Sequence, residues 1–331
     1  MIKQILVTGG LGYIGSHTVV KLKENGYDVV ILDNLSNSDI NVFDKLKKIV
    51  NCSIKLYIGD INDSDIIESI FNENKIDSII HFAALKSVNQ SITKSLNYYY
   101  NNVSGTINLL KNMEKYDIKN IIFSSSCTVY GEPENYPVTE ETKLKDPLTP
   151  YGKTKSICEK IIESNLNINS IILRYFNPIG NHESGIIYEN PKGVPENLLP
   201  HIIGVINKKY EFLKVFGNDY NTHDGTAIRD YIDVNDLANV HVKSLDLVGK
   251  KRYDVFNVGT GNGYSVMDII NEFKKNGYVI PYKIFPRRDG DIEKIWADIT
   301  KSKNVLGWVP IYTISDSIKS IITSIENNIH N

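Results

Sequence analysis

A phenol and an ammonium stand four residues apart in Thr149-Pro150-Tyr151-Gly152-Lys153-Thr154-Lys155. Thr149 can cap a helix and Pro150 suits its first position, so Tyr151 and Lys155 fall one turn apart on one helical face. A free phenol titrates near pH ~10. A neighbouring ammonium, together with the positive ring of an oxidised nicotinamide, favours phenolate and equips Tyr151 to take a proton from an alcohol. Tyr-x-x-x-Lys alone is common by chance. Phe123-Ser124-Ser125-Ser126-Cys127-Thr128-Val129-Tyr130-Gly131 adds a hydroxyl at the end of a strand. Ser126 can hydrogen-bond the reacting oxygen, which completes a Ser126–Tyr151–Lys155 set.

A second cluster suits an anion. Thr8-Gly9-Gly10-Leu11-Gly12-Tyr13-Ile14-Gly15 follows a strand and opens a helix. Glycines there permit a tight turn and close approach of the backbone to a pyrophosphate, which meets free N–H groups and the positive end of the helix dipole. Asp33 ends the next strand, 18 residues after Gly15. It is either a loop residue or an acceptor for ribose hydroxyls; its context favours the second reading. A carboxylate repels the extra phosphate of NADP, and no Arg follows it, so NAD is the expected cofactor. Asp60-Ile61 and Phe82–Lys86 follow later strands, where ligands of a parallel sheet collect. His81 reads as a satisfied strand-end residue. The seven histidines show no metal-ligand spacing, and no metal is expected.

These groups need a frame. Lys3–Thr8, Asp28–Asp33, Ile54–Ile58, Ser78–Phe82, Asn120–Ser124 and Ser170–Arg174 read as strands buried on both faces. Helical patterns near Tyr13–Asn25, Asp63–Asn74, Leu96–Lys115 and Tyr151–Asn165 lie between them. The alternation predicts an α/β fold, a Rossmann-type doubly wound parallel sheet with a smaller mixed α/β substrate-binding lobe. The expected division is a nucleotide-binding domain over residues 1–177, with returning segments near 229–260, and a second lobe mainly over 178–331. Asp254–Val258 reads as a strand that returns to the first sheet.

Composition narrows the class. A chain of 331 residues, 41% hydrophobic, has room for one large domain and a lobe. A net charge of −2 gives no reason to expect a nucleic-acid partner, and no apolar run approaches the ~18 residues that span a bilayer. Met1–Ile2–Lys3 runs straight into strand-like sequence, so no targeting segment is expected. Cys52, Cys127 and Cys158 read as reduced thiols of a cytoplasmic protein. Of 37 basic residues only five are arginine: Arg174, Arg229, Arg252, Arg287 and Arg288. In so Lys-rich a chain, an Arg hints that a planar fork of donors is wanted.

With these motifs in place, the chain resembles the UDP-glucose 4-epimerases of the extended short-chain dehydrogenase/reductase family, almost end to end. The carriers include Val7–His17, Ile31–Leu35, His81–Lys86, Asn101–Val103, Phe123–Gly131, Tyr151–Lys155, Leu173–Pro178, Phe216–Tyr220, Arg229–Ile232 and Pro286–Asp291. The resemblance implies catalysis by Ser126, Tyr151 and Lys155. It implies NAD contacts at Tyr13, Ile14, Asp33, Asn34, Leu35, Ser36, Asn37, Ser38, Asp60, Ile61, Phe82, Ala83, Ala84, Leu85, Lys86, Asn101 and Phe176. It implies nucleotide-sugar contacts at Lys86, Asn177, Asn197, Lys214, Val215, Phe216, Arg229, Tyr231, Arg288 and Asp291. Forked Arg donors suit a diphosphate; Arg287 reads as a surface or packing residue. Asn177 and Asn197 could also be turn residues.

The implied reaction is reversible C4 epimerisation of UDP-glucose and UDP-galactose through a 4-keto sugar, in a homodimer paired through the helices near Leu96–Lys115 and Tyr151–Asn165. Ile295, four beyond Asp291, falls where family members set pocket width; Ile is shorter than Tyr, so turnover of UDP-N-acetylglucosamine and UDP-N-acetylgalactosamine is also expected. Cys127 and Ala84 depart from the family's usual Ala and Gly as small packing variants. Two rival readings stay open: a nucleotide-sugar dehydratase or decarboxylase on the same fold, and a non-catalytic NAD-binding sensor. Related dehydratases place Asp-Glu where this chain has Cys127-Thr128.

Overall fold

In the computed structural model, residues 3–329 are described except 194, 196 and 289; Asp289 of the Pro286–Asp291 motif therefore lies outside the described residues. The chain opens as β1 (Gln4–Thr8), α1 (Tyr13–Glu24), β2 (Asp28–Asp33), α2 (Asn41–Val50), β3 (Lys55–Ile58), α3 (Ser64–Glu73) and β4 (Ile76–His81). A helical run follows: α4 (Val88–Thr93), α5 (Ser95–Tyr98), a π-helical segment (Tyr99–Ser104) and α6 (Gly105–Lys115). Then come β5 (Asn120–Ser126), a 3₁₀ turn (Cys127–Tyr130), α7 (Pro150–Ser164) and β6 (Asn169–Tyr175).

The remaining elements are shorter: β7 (Asn177–Ile179), α8 (Leu198–Ile206), β8 (Leu213–Phe216), β9 (Ile228–Arg229), β10 (Tyr231–Asp233) and α9 (Val234–Ser244). They are followed by β11 (Tyr253–Val258), β12 (Tyr264–Ser265), α10 (Val266–Lys275), β13 (Tyr282–Phe285), β14 (Lys294–Ile295), α11 (Thr300–Leu306) and α12 (Ile314–Ile329).

Seven strands form one parallel sheet in the order β11-β6-β5-β4-β1-β2-β3. Strand order reverses between β1 and β4, so the carboxyl ends of those strands frame the crevice where such sheets bind ligands. β11 returns to this sheet from the far side of the second-lobe sequence and pairs with β6. The central strands are rich in Val and Ile; Ile5, Val7, Ile31, Ile80 and Ile122 face one core, and Leu6, Val30, Leu32, Ile79 and Ile121 face the other. This two-sided burial is what a doubly wound sheet demands.

Two expectations need correcting. Residues 54–58 do not form a strand buried on both faces: β3 is the sheet edge, and Ile58 is 57% exposed. Nor is Leu96–Lys115 one helix. A π-helical segment at Tyr99–Ser104 separates α5 from α6, a local excess of residue per turn that side-chain periodicity does not report.

The second lobe is assembled from small sheets. β13 pairs with β8, β10 with β7, and β9 lies between β12 and β14. Ile179, Leu199, Ile202, Val215, Ile269, Phe273 and Ile318 form its own apolar core. Among the described residues, no helix is long and apolar enough to cross a membrane.

Candidate active site

Thr149 caps α7 by accepting from the Gly152 N–H at 3.4 Å, and Pro150 takes the first helical position. The helix then presents Tyr151, Lys155 and Glu159, spaced four apart, to the carboxyl end of β5, where three serines run consecutively. The Lys155 ammonium donates to the Ser124 carbonyl at 2.6 Å. Ser125 Oγ donates to Glu159. Ser126 lies beside the Tyr151 phenol and acts to lower its pKa. Glu159 is held in turn by Arg174 of β6, whose Nε and Nη2 reach the carboxylate at 3.0 and 2.6 Å; both side chains are buried. The network continues through Tyr130, which accepts from Arg174 at 3.2 Å and donates to Asn257 at 2.7 Å. Sequence spacing points to Ser126, Tyr151 and Lys155, and the structure brings them together. Glu159 escapes the sequence reading, although it continues the same four-residue spacing, and Arg174, one of the five arginines noted there, spends its planar fork on that carboxylate.

The electrostatics differ from the expectation in one respect. Burial dominates Tyr151 and pushes its phenol well above the ordinary value, while the neighbouring Ser126 hydroxyl pulls it back. Lys155 lies 6.0 Å from the Tyr151 ring centre and is committed to the Ser124 carbonyl, so it does not offset that burial. Burial lowers Lys155 itself from 10.5 to about 8.

At the other end of the sheet's crevice, α1 starts at Gly12 without a side-chain cap, which leaves first-turn amides for a ligand. Gly9 has φ +71°, and a Cβ there would fall 2.9 Å from the Ala83 nitrogen; one on Gly15 would fall 2.2 Å from the Gly9 carbonyl oxygen. Only glycine permits this cradle, and its shape suits a pyrophosphate. Asp33 accepts from Leu11 N–H at 3.0 Å, Leu35 N–H at 2.9 Å and Ser38 Oγ at 2.7 Å. A carboxylate has about four acceptor sites, so it retains room for a ligand hydroxyl. Asn34 donates to Asp60 at 2.8 Å, and the Ser36 N–H to Asn34 at 3.0 Å. Ile61 and Phe176 are buried.

The loop after β4 is fixed by Asn102, which accepts from Leu85 N–H at 2.8 Å and donates to the Leu85 carbonyl at 3.1 Å. Its neighbour Asn101 donates to Asn102 Oδ1 at 2.9 Å. Asn102, which the sequence marks only as part of the Asn101–Val103 motif, is thus a loop-fixing residue. His81 is satisfied by Thr8 and Thr106 at 2.7 and 3.1 Å, and burial lowers its pKa to about 3. Residues beyond β7 reach over the same crevice. Tyr13 donates to the Gly180 carbonyl at 2.5 Å, Lys192 donates to the Leu35 carbonyl at 2.7 Å, and the Lys192 N–H to Asn37 at 3.3 Å. Glu189 takes both Lys86, at 2.8 Å, and Asn197, at 3.1 Å.

A cavity of about 250 Å³ lies among the second-lobe residues. Its walls include Asn177, Asn197, Lys214, Val215, Phe216, Arg229, Tyr231, Arg288, Asp291 and Ile295, together with Cys127, Thr128 and His201. Lys86, Ser126 and Tyr151 are not among those walls. Arg229 donates to the Ile228 and Ile292 carbonyls at 2.8 and 2.7 Å, and Arg288 pairs with Asp291 at 2.8 Å. Two arginines and Lys214 in one small cavity suit a dianionic diphosphate. Arg287 lies outside the walls, paired with exposed Asp219 and 4.0 Å over the Tyr220 ring. Ile295 is buried beside Cys127 and Phe176 in one apolar cluster. Among the described residues, one trio of metal-ligand type falls together, His223, Asp224 and Asp268. Both carboxylates already accept from Ser265 at the start of α10.

The family model described as GDP-mannose 4,6 dehydratase matches residues 6–321. A UDP-glucose 4-epimerase of Bacillus subtilis (strain 168) is 48% identical over 92% of this chain and 91% of its own length. The crystal structure of a UDP-glucose 4-epimerase from Bifidobacterium longum in complex with NAD⁺ and UDP is 43% identical, with a TM-score of 0.94 over 99% of both chains. The UDP-Glc/GlcNAc 4-epimerase of Campylobacter jejuni is 33% identical, with a TM-score of 0.83 over 98% of this chain and 99% of its own.

The lowered Lys155 pKa carries a sign for stability. Between about 8 and 10.5 the unfolded lysine holds a proton that the folded one has lost, so stability rises with pH across that window. Thermal midpoints measured against pH should rise there relative to those of Lys155→Met. Parallel curves would place Lys155 in a more polar setting than its burial indicates.

Proposed function

The chain belongs to the UDP-glucose 4-epimerase family, and we propose that Tyr151, Ser126 and Lys155 carry out its reaction at C4 of a UDP-hexose. The enzyme interconverts UDP-glucose and UDP-galactose with NAD as a retained cofactor. The observation that carries the division of labour is the three-serine seam between β5 and α7, which places a phenol, a hydroxyl and an ammonium at one strand end.

Gly9, Gly12, Gly15 and the first-turn amides of Tyr13 and Ile14 would hold the cofactor pyrophosphate, and Asp33 a ribose. When bound, NAD supplies a two-electron acceptor and donor for C4 in turn, and a positive ring charge that favours a phenolate. Tyr151 takes the proton of the sugar 4-hydroxyl as C4 is oxidised to a ketone. Ser126 donates a hydrogen bond to the reacting oxygen. Lys155 holds α7 to the Ser124 carbonyl and presents its charge to the cofactor side. The 4-keto sugar then turns, and reduction on its other face returns the proton from Tyr151 to the oxygen. Configuration inverts without net redox change. Arg229, Arg288 and Lys214 hold the diphosphate throughout and Asn177, Asn197, Val215, Phe216, Tyr231 and Asp291 complete the nucleotide-sugar pocket.

Elimination of water, as in a 4,6-dehydratase, requires an added acid and base. The residues after Ser126 offer neither: Thr128 is not ionisable, and burial pushes the Cys127 thiol up to about 12. Epimerisation therefore fits these residues better than the dehydratase name of the matching family model.

We place the enzyme in the cytoplasm as a homodimer. Its three cysteines are free. Leu96, Tyr100 and Ile107 on the α5–α6 stretch are 81%, 65% and 39% exposed, an apolar strip suited to a second copy. Sedimentation at the monomer mass would contradict the dimer, and cell fractionation tests the location.

Tyr151→Phe should keep its fold and its NAD while losing about 10²–10⁴ in turnover of UDP-galactose. Near-normal turnover in a folded variant removes Tyr151 from the mechanism.

Ile295 walls the cavity, so we further assign N-acetylhexosamine turnover to this enzyme. One methylene of pocket volume is worth about 1–3 kcal/mol of discrimination, so N-acetyl turnover should be measurable and weaker than that of UDP-glucose. Ile295→Tyr should suppress kcat/KM for UDP-N-acetylglucosamine and largely spare UDP-galactose. Equal loss of both, or no N-acetyl turnover in the parent, refutes the gate and leaves the epimerase reaction intact.

A further inference from the structure

A cofactor seated on the glycine cradle needs a cover, and the later chain provides one over residues 188–192. This segment lies between β7 and α8 and belongs to no helix or strand. On one side it is fastened to the loop after β2. The Lys192 ammonium donates to the Leu35 carbonyl at 2.7 Å, and the Lys192 N–H to Asn37 Oδ1 at 3.3 Å. On the other side it is fastened to the loop after β4, where Glu189 Oε1 accepts from the Lys86 ammonium at 2.8 Å. The same oxygen accepts from Asn197, the residue before α8, at 3.1 Å. The Glu189 side chain is 8% exposed, so both of its bonds are largely shielded from water.

Sheet order says what lies beneath. The strands run β4-β1-β2, and the cradle follows β1. A link that joins the β2 loop to the β4 loop therefore passes over the carboxyl end of β1 and the start of α1. Neighbouring strands are ~4.8 Å apart, which puts β2 and β4 about 10 Å from each other. Three residue steps, from Glu189 to Lys192, reach about 10 Å when extended, and the two side chains add to that. Tyr13, the first residue of α1, is held to the same stretch of chain by its bond to the Gly180 carbonyl at 2.5 Å. Burial raises its phenol well above the ordinary value, and the Glu189 charge adds to that rise.

We infer that residues 188–192 form a clasp over the cofactor, fastened by Glu189 on one side and Lys192 on the other, and that opening this clasp sets how fast NAD enters and leaves. This rests on the reading of the glycine cradle as the seat of a retained NAD. Every fastening joins one protein group to another. The clasp therefore alters the path to the seat and not the contacts within it, so it slows entry and exit alike. Glu189 is the firmer fastening, because its carboxylate is shielded and holds two partners. Lys192 is exposed, and exposed polar ties are weaker.

The test uses the NAD-containing enzyme as purified, with the variants Glu189→Ala and Lys192→Met. Each protein is loaded with isotope-labelled NAD and chased with a large excess of unlabelled NAD, and the retained label is followed in time. In parallel, equilibrium dialysis against graded NAD gives the concentration for half occupancy. Glu189→Ala should release NAD about tenfold faster than the parent, the scale of a lost hydrogen bond to a charged group. Lys192→Met should also release it faster, by a smaller factor. Half occupancy should hardly move in either variant, because entry speeds up with exit. Full NAD stoichiometry at saturation shows that both variants are folded.

Release at the parent's rate in both variants overturns the clasp and leaves the retained cofactor standing. Faster release with half occupancy raised by the same factor also overturns it, since that marks lost contacts to the cofactor itself. A parent protein that binds no NAD removes the retained-cofactor reading and the clasp with it.

Discussion

The site depends on the docking of one helix against one strand end. Along α7, Tyr151, Lys155 and Glu159 recur every fourth residue, and each meets a member of Ser124-Ser125-Ser126. The lowest contact anchors the others. Glu159 and Arg174 are both buried, and an ion pair out of water is strongly destabilising to break because the survivor is left uncompensated. The helix therefore has little freedom to slide along β5. A shift of one residue would turn Tyr151 away from Ser126, so the buried Glu159–Arg174 pair holds the proposed catalytic side chains in register.

That docking also explains the electrostatics of the site. Lys155 is buried and lowered to about 8, yet its ammonium has a carbonyl partner in Ser124. Tyr151 is pushed upward by the same burial, with Ser126 as the counterweight. The protein alone therefore favours the phenol, and in the proposed reaction a bound oxidised nicotinamide would supply the positive charge that favours a phenolate. Contacts across the crevice at Leu35, Asn37 and Lys86 come from residues of the later chain and help to close over it.

Much of this frame was legible in the sequence because it is local. The cofactor loop is a strand, a glycine cradle and a helix start within a dozen residues, and α7 announces itself through Thr149-Pro150. The Val- and Ile-rich strands mark a sheet buried on two faces. What escaped depends on tertiary placement. β3 (Lys55–Ile58) carries apolar residues like the inner strands but lies at the edge, so Ile58 meets solvent. The π-helical segment at Tyr99–Ser104 changes the backbone without changing the pattern of apolar residues. Asn102 lies within a quoted motif and Glu159 continues the four-residue spacing, but their importance comes from burial, which neither signal reports. The cavity joins Asn177 of β7, Arg229 of β9 and Arg288 of the loop between β13 and β14. Spacing could not assemble it; the scarcity of arginine and the family motifs were the available signals.

The central claim is that C4 is oxidised and re-reduced within one closed site, with Tyr151 handling only the hydroxyl proton. UDP-galactose carrying deuterium at C4 tests it most directly. With purified enzyme and no added oxidant, UDP-glucose should form with the deuterium still at C4 and none released to water. Loss of the label to solvent would mean that the C4 hydrogen leaves as a proton, which contradicts oxidation and re-reduction of C4 by a retained NAD.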